Sequence, residues 1–295
     1  MKVYLATDPE CFTVEKVKEG QLGGAESFFL ILRKWLKMRG HNVFTSGLGE
    51  VCDSPDVVIH SNSSDFTQQG KCHILWAGSW HAPVSDPRFD EVIVLSEYMR
   101  QKMGCERAFV IPAPYGKDLE IHKGVDFDRY NIVTTANPNR WFPLARDMAR
   151  TLMAHGITYS WQYSGGNKLY KPYFPECYGF DQDGIIYRGI LSRNDLLGML
   201  TLAHVWIYPG FRDVDETFCL SMIEAAYLGI PVIVPNKEPF RSVLPEAFLV
   251  ESFNDMIDKV IALFKYGPDR INYNMDRYSE RVVMPQYVRL IEAKK

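Results

Sequence analysis

The sequence predicts an α/β protein of two Rossmann-like domains, each a parallel β-sheet with helices on both faces. Three observations predict it. Short β-branched and apolar runs alternate with helix-period segments along all 295 residues, which is how consecutive βαβ units read. That length accommodates two domains of about 150 residues each. Residues 112–126, PAPYGKDLEIHKGVD, carry two prolines and two glycines, many polar residues and little periodicity, as a domain junction does.

The first half is read in order. An apolar strand at 2–6 is followed by Gly23-Gly24 and a helix at 25–39, which carries Phe28, Ile31, Leu32, Trp35 and Leu36 on one side. That apolar stripe suits packing on a sheet. Arg33, Lys34, Lys37 and Arg39 also make the helix basic, the pattern of a weak peripheral contact with an anionic membrane. Strands are expected at 42–45, 56–59, 73–76, 91–95 and 108–111, with a helix at 97–103.

In the second half the expected strands are 131–135, 160–163, 185–187, 205–208, 232–234 and 248–250. Helices are expected at 144–155, 193–203, 220–228, 253–265 and 279–292. Ser192 is a good N-cap, with Leu196, Leu197 and Leu200 as the core face of the helix behind it. Gly229 and Pro231 stop the helix at 220–228 before the next strand.

Composition narrows the class. Hydrophobic residues at 46% and charged residues at 23% are those of an ordinary globular protein. A net charge of -3 argues against a general nucleic-acid binder. Met1-Lys2 leads straight into the first strand, with no h-region of a signal peptide. No apolar run reaches the roughly 18 residues of a membrane span. The expected location is cytoplasmic, and the six scattered cysteines, none in C-x-x-C spacing, are expected to be free thiols. The seven histidines show no metal-ligand spacing. Asp213-Val214-Asp215 has a D-x-D spacing but abuts Glu216 in a loop, so neither a metal nor a cofactor is expected.

The most informative stretch is 216–230, ETFCLSMIEAAYLGI, with Pro231 and the strand Val232-Ile233-Val234 directly behind it. A helix start offers unsatisfied N–H groups and the positive end of the helix dipole to a phosphate. A carboxylate one turn in can accept hydrogen bonds from hydroxyls. Glu216, Phe218, Cys219, Glu224-Ala225 and Gly229-Ile230-Pro231-Val232 resemble, in order, the donor-site signature of retaining GT-B glycosyltransferases, in particular glycosyltransferase family 4. Cys219 stands where that signature usually has glycine.

The resemblance implies a GT-B fold: two Rossmann-like domains whose parallel sheets face a central cleft, with the last helix crossing back to the first domain. The domains would then be 1–115 with 276–295 on the acceptor side, and 116–275 on the donor side. It implies a retaining, metal-independent hexosyltransferase that takes a nucleoside-diphosphate sugar as donor and a glycan, a lipid-linked or a small-molecule acceptor. Glu224 would bind the ribose and Glu216 the donor sugar. Thr217, Phe218, Cys219 and Leu220 would offer backbone to the diphosphate.

Other residues join the implied site. Arg140, in Asn137-Pro138-Asn139-Arg140, follows the first strand of the second domain, and an arginine there can grip a diphosphate bidentately. The segment is similar to a Ser-Ser-Pro-x-Arg-Gly-Leu form of the family, with Trp141 and Phe142 replacing Gly-Leu. Lys168, behind Gly165-Gly166, is a second basic candidate, although such a glycine pair is also an ordinary turn. Gly189 opens a loop that the resemblance places by the nucleobase. Gly23 and Gly24 would approach the donor phosphates. His81 is the histidine nearest the position where relatives have one beside the transferred sugar, which Gly78 lies closer to. Two other readings remain open at this level: a GT-B sugar-nucleotide epimerase or hydrolase, and a non-catalytic GT-B module assisting a partner.

Overall fold

Runs such as VVIHS and CHILWA bury almost every side chain on both faces, as interior parallel strands do. In the computed structural model these runs form two sheets in two units, Met1–Gly116 with Asp276–Lys295, and Lys117–Met275. The structure describes all residues except 8–11, 20–23, 64–65, 117–129, 137–140, 165–180, 212–215, 268 and 295.

The first unit contains β1 (Lys2–Ala6), α1 (Val14–Glu19), α2 (Gly24–Met38), β2 (Asn42–Thr45), β3 (Val57–Ser61), β4 (Cys72–Ala77), β5 (Glu91–Val94), α3 (Glu97–Lys102) and β6 (Phe109–Val110). Among the described residues its six strands are all parallel, in the order β2-β1-β3-β4-β5-β6. Apolar pairs set the register, Val3 opposite Val57 and Ile59 opposite Ile74. The buried side chains of α2 are Phe28, Phe29, Leu32 and Leu36, while Ile31 and Trp35 of the same apolar stripe are half-buried. Phe28 stacks on Trp76 with ring centroids 4.9 Å apart.

The second unit contains β7 (Tyr130–Thr134), α4 (Phe142–Ala154), β8 (Tyr159–Tyr163), β9 (Asp181–Gln182), β10 (Ile185–Tyr187), α5 (Arg193–Thr201), β11 (Val205–Ile207), α6 (Leu220–Tyr227), β12 (Val232–Pro235), α7 (Phe240–Val243), β13 (Phe248–Val250) and α8 (Phe253–Tyr266). Its described strands run β13-β12-β11-β7-β8-β10-β9, all parallel except the edge strand β9. Trp141 is fully buried and stacks on Trp161 at 5.6 Å, and its indole N–H donates to the Ala136 carbonyl at 3.1 Å. This residue, which replaces a glycine of the resembling signature, is therefore a core side chain.

The last helix, α9 (Glu280–Glu292), belongs to the first unit. Its buried residues Val283, Met284, Tyr287, Val288 and Ile291 follow helical spacing. Tyr287 donates its hydroxyl to the Ile111 carbonyl at 2.8 Å and accepts from Trp76 Nε1 at 3.3 Å. Trp35 Nε1 donates to Glu280 at 3.0 Å, His41 meets Glu292 at 3.0 Å, and Lys294 pairs with Glu91. Among the described residues no helix is long and apolar enough to cross a membrane. Cys52, Cys72, Cys105 and Cys219 are free thiols.

Candidate functional site

In the second sheet β7 has β8 on one side and β11 on the other. The chain thus builds outward from β7 on one side as far as β10, then crosses back to β11 on the other side. Ligands of open parallel sheets gather beyond the carboxyl ends of the strands at such a switch point. The segment after β11 begins there. Tyr208 is fully buried, and a Cβ added at Gly210 would lie 2.4 Å from its ring, so only glycine fits. Glu216 is half-buried and accepts the Thr217 N–H at 3.0 Å. Phe218 is buried behind it.

Cys219 is the N-cap of α6, and its backbone is left-handed, φ 62° and ψ 66°. A β-carbon is disfavoured in that conformation, which gives a backbone reason for the glycine that the resembling signature has here. The Cys219 carbonyl accepts the Met222 N–H at 3.1 Å, and α6 starts. Met222, Ile223, Ala225 and Ala226 are buried. At the other end the Ile230 N–H donates to the Ala225 carbonyl at 3.1 Å and the Gly229 N–H to the Ala226 carbonyl at 2.9 Å, with Gly229 at φ 74°. That is a Schellman stop, and it sends the chain into β12.

Glu224 lies one turn into α6 and is 4% exposed. Its Oε1 is 2.6 Å from Nη1 of Arg193, the first residue of α5. A buried carboxylate is costly unless a cation and hydrogen bonds accompany it. The loop leading to Arg193 is itself anchored. Arg188 donates its N–H to the Tyr163 carbonyl and its Nε–H to Gln162 Oε1, both at 2.9 Å. Ser164 Oγ donates to the Gly189 carbonyl at 2.9 Å, and Gly189 has φ 74°. Ser192 caps α5 by accepting the Asp195 N–H at 3.2 Å and donating to Asp195 Oδ2 at 2.6 Å.

The expected site residues fall into three groups. Glu216, Thr217, Phe218, Cys219, Leu220 and Glu224 form one continuous loop and helix start, and Gly189 lies in the anchored loop before α5. Arg140, Lys168 and Gly23 lie outside the described residues. Gly24 and His81 belong to the first unit: Gly24 is the exposed first residue of α2, and His81 is exposed in the loop after β4. Asn62 Oδ1 holds that loop by accepting the N–H groups of Gly78 and Ser79 at 2.6 and 3.0 Å. Gly78 is required there, because a Cβ would lie 2.4 Å from the Trp76 ring.

Sequence spacing alone does not reveal Arg193. The available signal is its place, since a cation in the first turn opposes the helix dipole. Among the described residues no group of three His, Cys, Asp or Glu side chains is arranged to hold a metal ion.

No family model matches the chain. Over 108 residues it is 28% identical to the tRNA-queuosine alpha-mannosyltransferase of Drosophila melanogaster, a match covering 34% of this chain and 28% of that protein's length. Its fold is similar to that of a glycosyltransferase from Rickettsia africae, with a TM-score of 0.69 at 11% identity over 99% of this chain and 98% of the other. Anabaena HepE, solved with UDP and glucose, also gives 0.69 at 11% identity, over 99% of this chain and all (100%) of the other. The chain has the GT-B fold of these structures: two parallel-sheet units, with the last helix returned to the first.

Proposed function

We propose that this protein is a retaining, metal-independent glycosyltransferase that moves a sugar from a nucleoside-diphosphate sugar to a carbohydrate or lipid-linked acceptor. One observation carries the reading: the Glu216–Glu224 signature forms a left-handed turn and a helix start beyond the carboxyl end of β11, next to the switch strand β7. Support comes from the named neighbours of the same fold, one solved with UDP and glucose. Further support is the partial match to a mannosyltransferase, which bears on transfer chemistry rather than on the acceptor.

In this reading Glu224 accepts hydrogen bonds from the ribose hydroxyls, and Gly189 borders the base. Glu216 holds hydroxyls of the donor sugar. Backbone N–H groups at Phe218–Leu220, with Arg140, Lys168 and the Gly23-Gly24 backbone, stabilise charge on the departing diphosphate, which is commonly the largest catalytic contribution. The acceptor oxygen attacks the anomeric carbon on the face the diphosphate leaves from. The carbon–phosphate-oxygen bond breaks, a carbon–acceptor-oxygen bond forms, and the leaving phosphate takes the acceptor proton. His81 is assigned to the transferred-sugar side.

The test is saturation-transfer NMR with UDP-, GDP-, ADP- and dTDP-sugars without added metal, followed by NMR of the product's anomeric proton. Base and ribose signals from one donor, and a product of unchanged anomeric configuration with EDTA present, are expected. Silence across the panel from folded protein sinks the reading. Free sugar or an epimer as the product would replace transfer by hydrolysis or epimerisation.

A further inference from the structure

Glu224 differs from an ordinary surface carboxylate in two respects. It is 4% exposed, and a guanidinium N–H reaches its Oε1 at 2.6 Å. The cation comes from a helix start, the end of α5 where a positive charge is least favourable. The local backbone around it is nonetheless fixed, through the Ser192 cap, the Arg188–Gln162 bond and the Ser164–Gly189 bond. On the core side Leu197 and Leu200 of α5 are fully buried. Arg193 is thus held in a position unfavourable for its own helix and suited to the carboxylate on α6.

We propose that Arg193 is a positioning residue, which keeps Glu224 ionised and oriented so that the carboxylate takes the donor's ribose hydroxyls and discriminates ribonucleotides from 2′-deoxyribonucleotides. This rests on the ribose role given to Glu224 above. An ionised carboxylate only accepts hydrogen bonds, and ribose hydroxyls supply the donors it needs. A protonated one would present a donor of its own and lose an acceptor. Arginine stays charged at any working pH, so its neighbour remains an acceptor even when buried. Its planar guanidinium is also a more rigid donor than the ammonium of a lysine, which swings on a flexible stem.

The experiment is calorimetric titration of the full chain with UDP, GDP and ADP and with their 2′-deoxy forms, for wild type, Arg193→Gln, Arg193→Lys, Glu224→Gln and the Arg193→Gln/Glu224→Gln pair. Wild type is expected to favour the ribonucleotide by about 10-fold, the worth of one hydrogen bond to a charged group. Glu224→Gln and Arg193→Gln should each bring that ratio close to one. The double variant should be no lower than either single change, since both remove the same contact. Arg193→Lys keeps the charge but carries it on a more flexible stem, so an intermediate ratio is expected. It serves as the test if the glutamine variant does not fold.

A wild-type ratio in Arg193→Gln, or in Arg193→Lys where only that variant folds, reduces Arg193 to a tie between two helices and overturns the proposal. If wild type shows no preference, or Glu224→Gln keeps it, the ribose assignment itself fails and this inference falls with it. The two failures are therefore told apart by the wild-type and Glu224→Gln rows alone.

Discussion

The two units are both built on a parallel sheet and use their charged and polar groups at different places. In the first, polar contacts gather where α9 returns: Tyr287 with Ile111 and Trp76, Trp35 with Glu280, His41 with Glu292, and Lys294 with Glu91. They tie the chain's end to a sheet. In the second, the buried carboxylate pairs across two helix starts, Arg193 of α5 with Glu224 of α6, beyond the strands' carboxyl ends. One set fastens the last helix, and the other is the pair to which the proposed reading gives the ribose. Similar chemistry should therefore yield opposite phenotypes, stability in the first unit and ligand handling in the second.

The largest expected effect is on the fastening side. Tyr287 is buried against Phe28, with ring centroids 4.8 Å apart. Tyr287→Ala should destabilise the first unit by about 3–5 kcal/mol, the range for removing a buried aromatic. Urea unfolding followed by tryptophan fluorescence checks it. A loss below about 1 kcal/mol would mean that α9 is not held as described. Next comes the other side of the comparison. Glu216→Gln should cut sugar transfer by about 100-fold, as loss of one positioned polar group does. Its urea midpoint and its affinity for the free nucleoside diphosphate should stay at wild-type values. Equal losses of stability and turnover would erase the distinction between the units.

Much of this layout is legible in the sequence, and the reasons are local. Strands at 2–6, 42–45, 185–187 and 248–250 begin and end as read, because apolar runs bounded by polar or glycine residues have few alternatives. Helices at Glu97, Arg193 and Phe253 start where Ser96, Ser192 and Ser252 cap them. What escapes reading lacks a pattern. The six-residue α1, VEKVKE, has no apolar stripe, α7 is a single turn, and β9 is two residues of an edge. Trp141 reads as a departure from a loop motif and proves to be core, since only folding brings Trp161 beneath it. The Arg193–Glu224 pair is invisible for the same reason: two βαβ crossovers join residues from different helices.

A smaller effect returns to the first unit. His60 Nε2 and His73 Nδ1 share a 2.9 Å hydrogen bond, with Asp90 and Arg88 nearby. Burial pushes the His73 imidazole below its usual 6.5, a trend Arg88 reinforces and Asp90 opposes. The folded protein therefore binds fewer protons than the unfolded chain between the two values. Stability from this group is complete above pH 6.5 and declines as the pH falls below it, until the folded ring also protonates. Urea midpoints between pH 8 and 5 should slope downward below 6.5, and His73→Gln should flatten that part of the curve. Nucleotide affinity, which the proposed reading assigns mainly to second-unit residues, should not follow the same titration.

The smallest effect concerns backbone, and again the units differ. The first places Asn62 at φ 54° to hold the Gly78 loop, and asparagine tolerates that conformation. The second places Cys219 at φ 62° at the start of α6, where an L side chain is strained by about 1–2 kcal/mol. Replacing the thiol by hydrogen and replacing the whole side chain by hydrogen remove nearly the same packing but differ in strain. Cys219→Gly should therefore be more stable than Cys219→Ala by about 1 kcal/mol, the reverse of the order at an ordinary helical position. Paired urea midpoints decide it. If alanine equals or exceeds glycine, α6 does not begin through a left-handed residue, and the turn that brings Glu216 to the helix start must be built another way.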